Sequence, residues 1–182
     1  MKGTIFKFYR IPFILAISLA VVLISTNFRG TTLDIVLLLI GALLGMFFLD
    51  LDYFLNAYIL EPEDNFSKLL RDYIKSKDIS GAFNYIIYHA DEVENKTLNS
   101  AVFQFAMMFF AIFIVRSDLS IFFKSLILST QLNTIFRFFY FYFQGHGKDW
   151  FWILKNEPSK PFIFGFNFLV LIMLGLAIFL VK

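Results

Sequence analysis

Residues 32–60 constrain this chain more than any other stretch. They read TLDIVLLLIGALLGMFFLDLDYFLNAYIL, with no charge between Asp34 and Asp50. At about 1.5 Å per residue, one helix of this length crosses the roughly 30 Å hydrocarbon core of a bilayer. The acids matter as much as the apolar run. A carboxylate is costly in hydrocarbon, so Asp50 and Asp52 at a helix mouth need a cation, a metal ion or the water interface.

Composition points the same way. Hydrophobic residues make up 59% of the 182, and charged residues only 16%, well under the roughly one quarter usual in soluble domains. The fold expected is all-α: a polytopic transmembrane helix bundle in a single domain, residues 1–182. A net charge of +2 is too small to suggest nucleic acid as a partner. The chain has no cysteine, which excludes disulfides, thiolate metal sites and thiol catalysis. Its two histidines, His89 and His146, leave little material for an imidazole metal site.

Five spanning helices are expected, over residues 11–26, 33–58, 100–115, 119–143 and 162–181. The first follows a basic segment with Lys2, Lys7 and Arg10, as in a secretory signal. Its exit, Ile24-Ser25-Thr26-Asn27, is a poor cleavage site, so a retained helix is favoured. Pro12 falls in the first turn of that expected helix, where it is tolerated. Gly41 and Gly45 form a small-xxx-small face suited to close helix packing.

Between the second and third spans, residues 61–97 are polar and amphipathic. Phe66, Leu69, Leu70, Tyr73 and Ile74 recur at helical spacing, and a break is expected at Ser80-Gly81. Phe83, Ile86, Ile87 and Ala90 make a second stripe before the acidic run at 91–94. This is a helical hairpin, lying on the membrane or against the helix ends. Trp150 and Trp152 are expected in an interfacial belt.

Eleven of the basic residues fall in the N-terminal segment and the 61–100 and 145–161 segments. Arg29, Arg116, Lys124 and Lys182 fall on the other side. Cationic loops stay in the cytoplasm. The expectation is therefore an inner-membrane, multi-pass protein with its N-terminus inside and its C-terminus outside.

That topology brings Asp50, Asp52, Asn99, Ser100 and Arg137 to one depth near the cytoplasmic face. Thr130, Asn133, Thr134 and Arg137 form one polar stripe on the fourth helix, and polar stripes in lipid turn inward. His146 lies in a loop on the same side. One reading makes the cluster purely structural: Arg137 pairs with Asp50 or Asp52, while Asn133 and Gln104 tie helices together. The other makes it a small cytoplasm-facing site. Two residues apart, Asp50 and Asp52 point roughly 200° apart on an unbroken helix, so a shared metal needs a distortion between them. Arg137 would suit an anionic head group better than a cation.

The motif order resembles the membrane-bound, metal-dependent hydrolase family of bacterial inner membranes. That family has Pro-Asp-x-Asp-His at a helix end, then His-Arg…Thr-His-Ser, then a later His…Asp pair. Leu49-Asp50-Leu51-Asp52-Tyr53 stands at the first place here, Lys96-Thr97-Leu98-Asn99-Ser100 at the second and Asn133…Arg137 at the third. Tyr53, Asn99 and Asn133 replace the family's histidines, and Arg137 replaces its last acid. The resemblance implies a retained fold with lost hydrolase chemistry. Asp50 and Asp52 remain as metal ligands, for Mg²⁺ rather than zinc.

Three functions follow. The first is a non-catalytic scaffold that needs no cofactor, partnered by the lipid bilayer and by another membrane protein or a second copy. The second is a divergent hydrolase using a divalent metal such as magnesium on a phosphate-containing or lipid substrate. The third is a small transporter or channel component, which needs a polar path through the whole bilayer.

Overall fold

The computed structural model describes residues 2–27, 30–90, 92–93, 96–154 and 158–181, with the backbone alone for residues 2–5 and 27. Arg29, Asp91, Glu94, Lys155 and Lys182 lie outside the described residues. Every regular element among the described residues is helical: α1 (Lys2–Asn27), α2 (Thr32–Phe47), α3 (Leu51–Leu55), α4 (Asn65–Lys75), α5 (Ile79–His89), α6 (Ala101–Arg116), α7 (Ile121–Phe143), α8 (Gly147–Trp150) and α9 (Lys160–Leu180).

Among the described residues, three helical stretches are long and apolar enough to cross a membrane: Phe6–Thr26, Thr32–Leu60 and Lys160–Leu180. The second is continuous but not uniform. Thr31 opens it with a capping box, accepting from the Asp34 amide while Asp34 accepts from the Thr31 amide at 2.8 Å. It tightens to a 3₁₀ turn at Phe48–Asp50, resumes as α3 and loosens to a π turn at Asn56–Leu60. Asp50 therefore sits in a local change of helix pitch. α6 is apolar but only 16 residues long. α7 is 23 residues long, with Lys124 and Arg137 lowering its hydropathy.

α7 is the axis of the bundle, packed against α1, α2, α6 and α9. Its closest neighbour is α2, because of Gly41 and Gly45. A Cβ at Gly41 would stand 2.3 Å from the Phe122 carbonyl oxygen, and one at Gly45 would stand 2.4 Å from that of Leu126. Only glycine lets the two backbones approach this closely. Contacts advance together along the two chains, from Gly41 with Ser125 to Asp50 with Arg137, so α2 and α7 run parallel. α6 and α9 are also parallel to each other: Gln104 meets Asn167 near their starts, and Val115 and Leu180 line one cavity at their ends. Tyr9, near the start of α1, meets Asp50, near the end of the α2 stretch. The five long helices thus alternate in direction along the chain.

Two apolar clusters fill this frame. One joins α1, α2, α6, α7 and α9 through residues such as Leu23, Leu38, Met108, Leu128 and Val170. The other lies at one end, where Tyr53, Phe66, Leu70, Ile86, Phe138 and Trp150 pack together. It seats the α4–α5 pair against the helix ends, so one face of that pair rests on protein.

Three local expectations are corrected. α1 begins at Lys2 rather than residue 11, so Pro12 lies inside it. The break after α4 falls at Ser76–Asp78, with Lys77 at φ 60°. Ser80 and Gly81 belong to the first turn of α5, because Asp78 caps it by accepting from the Gly81 amide at 2.8 Å. Trp150 is not in a belt: it is buried in the second cluster, and only Trp152 is exposed.

Candidate functional site

Most of the polar face of α7 is spent on α2, while Thr134 donates to the Gln131 carbonyl of α7 itself at 2.7 Å. Ser129 donates to the Ala42 carbonyl at 2.6 Å, Thr130 to that of Gly45 at 3.2 Å and Asn133 to that of Met46 at 2.6 Å. Carbonyl oxygens have a second lone pair, so these bonds add to the helix ladder rather than replace it. The glycines make them reachable, since side chains as short as serine span the gap only where backbones nearly touch.

One turn further on, Arg137 donates to Asp50 Oδ1 at 2.5 Å. Both residues are almost fully buried. The Tyr9 hydroxyl donates to Asp50 Oδ2 at 2.7 Å. The guanidinium lies over the Phe8 ring, 4.7 Å from its centroid. So α1 closes this pair from the side: Phe8 covers the cation and Tyr9 satisfies the anion. Tyr9 carries no polar-stripe signal, and an α1 starting at residue 11 leaves it outside the bundle.

Asp52 serves a different element. Its Oδ1 accepts from the Thr97 amide at 3.0 Å, and its Oδ2 from the Leu98 and Asn99 amides at 3.0 and 2.9 Å. The Asn99 side chain adds a bond to the same Oδ2 at 3.0 Å and another to the Leu49 carbonyl at 2.9 Å. Three successive backbone N–H groups aimed at one carboxylate make an anion nest. The nest delivers the chain into α6, where the Ser100 hydroxyl donates to the Thr97 carbonyl and accepts from the Phe103 amide. Ser100 is therefore the N-cap of α6.

The residues expected in one cluster separate into pieces. Arg137 and Asp50 meet; Asp52 and Asn99 meet; Asn133 lies one turn back on α7. The idea that Asp50 and Asp52 share a metal does not fit this geometry. Asp50 faces a guanidinium and a hydroxyl, whereas Asp52 faces four N–H donors. A cation would have to displace donors that already point at those oxygens, with Arg137 repelling it. Among the described residues, no group of three His, Asp or Glu side chains is placed to hold a metal ion. His146 pairs with Asp149 at 3.3 Å, half-exposed. It reaches only the edge of the cluster, across a cavity of about 10 Å³ that Asn99 also lines.

A second polar chain has no pattern in the sequence that marks it as a unit. The Trp150 indole donates to Gln104 Oε1 at 3.0 Å, and Gln104 Nε2 donates to Asn167 Oδ1 at 3.2 Å. Asn167 donates back to the Ile163 carbonyl at 3.0 Å. It ties α8, α6 and α9 together. A lone Asn in the otherwise apolar α9 was the available signal.

No known protein family, curated protein or solved structure matches this chain.

Proposed function

We propose that this protein is a multi-pass inner-membrane scaffold whose buried polar cluster is structural rather than catalytic. The observation that carries this reading is the commitment of the two acids: both oxygens of Asp50 and of Asp52 accept hydrogen bonds from within the chain. A hydrolase needs ligands or bases that face an open site, and these face their own backbone and side chains. The bundle's polarity supports the membrane setting. Gln104, Ser129, Asn133, Arg137 and Asn167 are buried, while Phe109, Phe113, Phe168 and Phe179 are exposed. That inversion is stable where the surroundings are hydrocarbon.

In this reading α1, α2, α6, α7 and α9 each cross the bilayer, in keeping with their alternating directions. The α4–α5 pair lies on the cytoplasmic side, at the cationic end of the molecule. Topology is readily tested because the chain has no cysteine of its own. A Ser120→Cys variant should react with a membrane-impermeant maleimide in intact cells, and a Lys75→Cys variant only after the cells are opened. The reverse pattern would invert the orientation. Reaction of both in intact cells would remove one span.

Metal analysis tests the functional assignment. Detergent-purified wild type should carry no near-stoichiometric divalent ion, and EDTA should leave its melting temperature unchanged. Near-stoichiometric metal, or a clear loss of stability on chelation, would overturn the scaffold reading. It would favour the divergent hydrolase that the Asp50-Leu51-Asp52 motif suggests.

A further inference from the structure

The connection from α7 to α9 carries a run of five residues without charge or small polar groups, Trp150-Phe151-Trp152-Ile153-Leu154. Its first two residues are buried and its last three are not: Trp152 is 43% exposed, Ile153 56% and Leu154 44%. Phe151 holds the run in place. Its ring lies 6.3 Å from that of Phe162 and 5.9 Å from that of Phe166, in the opening turns of α9. The Trp152 indole donates to the Lys96 carbonyl at 2.9 Å, just before α6. The Phe151 and Leu154 amides close turns on the Lys148 and Phe151 carbonyls at 2.9 and 2.8 Å. Three large apolar side chains in a row are thus presented outward on a braced turn.

We propose that Trp152, Ile153 and Leu154 insert into the cytoplasmic leaflet of the bilayer, at the boundary between head groups and acyl chains. The inference rests on the membrane-spanning reading above, which puts the α7–α9 connection at that leaflet. Three observations select lipid as the occupant. The alternating helices bring the end of the α2 stretch, the start of α6, the end of α7 and the start of α9 to one end of the bundle. Tyr58, Phe143 and Phe162 are exposed at those same helix ends, and aromatic rings collected there form an interfacial belt. The run is also continuous, through Phe162, with the outer surface of α9, where Phe164 and Phe168 are exposed. That surface meets acyl chains in the spanning reading. Finally, the indole N–H and two amides of the run already have acceptors within the chain, which lowers the cost of placing a loop where water is scarce. Exposed apolar patches mark contact surfaces, and a lipid interface buries this one without a partner chain. The α7–α9 connection is then a shallow anchor that seats two helix ends in the leaflet.

Spin labelling tests this, because the chain has no cysteine of its own. Ile153→Cys, Leu154→Cys, Lys75→Cys and Leu169→Cys are each labelled with a nitroxide in the full chain. The protein is reconstituted into phosphatidylethanolamine–phosphatidylglycerol vesicles. All four positions are exposed, so the substitutions leave the packing intact. Collisions with oxygen, which concentrates in lipid, are compared with those of a water-soluble nickel chelate present on both sides of the membrane. The oxygen-to-nickel ratio at Ile153 and Leu154 should exceed that at Lys75 several-fold and fall below that at Leu169, in the middle of α9. A ratio at Ile153 and Leu154 equal to that at Lys75 would overturn the proposal. Immobile labels shielded from both reagents would also overturn it, because a second copy or another protein then covers the run. Leu169 separates this failure from that of the spanning reading. A water-like ratio at Leu169 refutes the spanning reading, whereas a lipid-like ratio there with a water-like ratio at Ile153 refutes only the insertion.

Discussion

Replacing Arg137 with methionine should lower the unfolding free energy by about 3–5 kcal/mol, the cost of leaving one member of a buried ion pair alone. The loss is read as a fall in detergent melting temperature and in steady-state abundance. Asp50 is 2% exposed, and its remaining partner, the Tyr9 hydroxyl, cannot neutralise a charge. Asp50→Leu should be similarly damaging, because a guanidinium under Phe8 then has no anion. The double variant Asp50→Leu/Arg137→Met should lie closer to wild type than either single variant. Removing both charges also removes both desolvation costs, so the two substitutions couple by about 1–3 kcal/mol in the restoring direction. A purely structural pair predicts this recovery, whereas a site needing either charge for function predicts a stable but inactive double variant. A single Arg137→Met variant within about 1 kcal/mol of wild type would mean that water reaches the pair.

The parts of this arrangement legible in the sequence are those written in side-chain periodicity and hydrophobic length. The apolar runs locate the Thr32–Leu60 stretch, α6, α7 and α9 to within a few residues. Asp50 and Arg137 can be matched by depth alone, because helices that alternate in direction return the end of α7 to the end of the α2 stretch. Gly41 and Gly45 are legible as a packing face, though not as one directed at α7. What stays hidden is whatever depends on backbone groups. The amides of Thr97, Leu98 and Asn99 carry no signature of the carboxylate they bind, so Asp52 reads as a free ligand beside Asp50. Tyr9 is hidden for another reason. Lys7 and Arg10 flank it and make it look like a basic leader, although Tyr9 itself is 7% exposed. Trp150 is misread because indole suits both an interface belt and a buried donor, and only Gln104 across the bundle distinguishes them.

Asp52→Ala should destabilise the protein by about 2–4 kcal/mol, since bonds from donors to a charged acceptor contribute about 1.5–3 kcal/mol each and add imperfectly. The location of the damage is more informative than its size. Three amides and the Asn99 side chain lose their acceptor together, so residues 97–99 must open to water or remain unsatisfied. Hydrogen exchange should therefore accelerate first at these amides and in the opening turn of α6, while the far end of α6, near Val115, stays protected. Asp52→Asn offers little rescue: one carbonyl oxygen remains, but the amide nitrogen presents donors to donors. Ser100→Ala is the control, removing the cap while leaving the nest, and should cost only about 1 kcal/mol. If Asp52 instead serves a site with bound metal or substrate, Asp52→Asn should preserve the fold and leave exchange at residues 97–99 unchanged. Accelerated exchange confined to the start of α6 assigns this acid to holding the chain's entry into its third long helix.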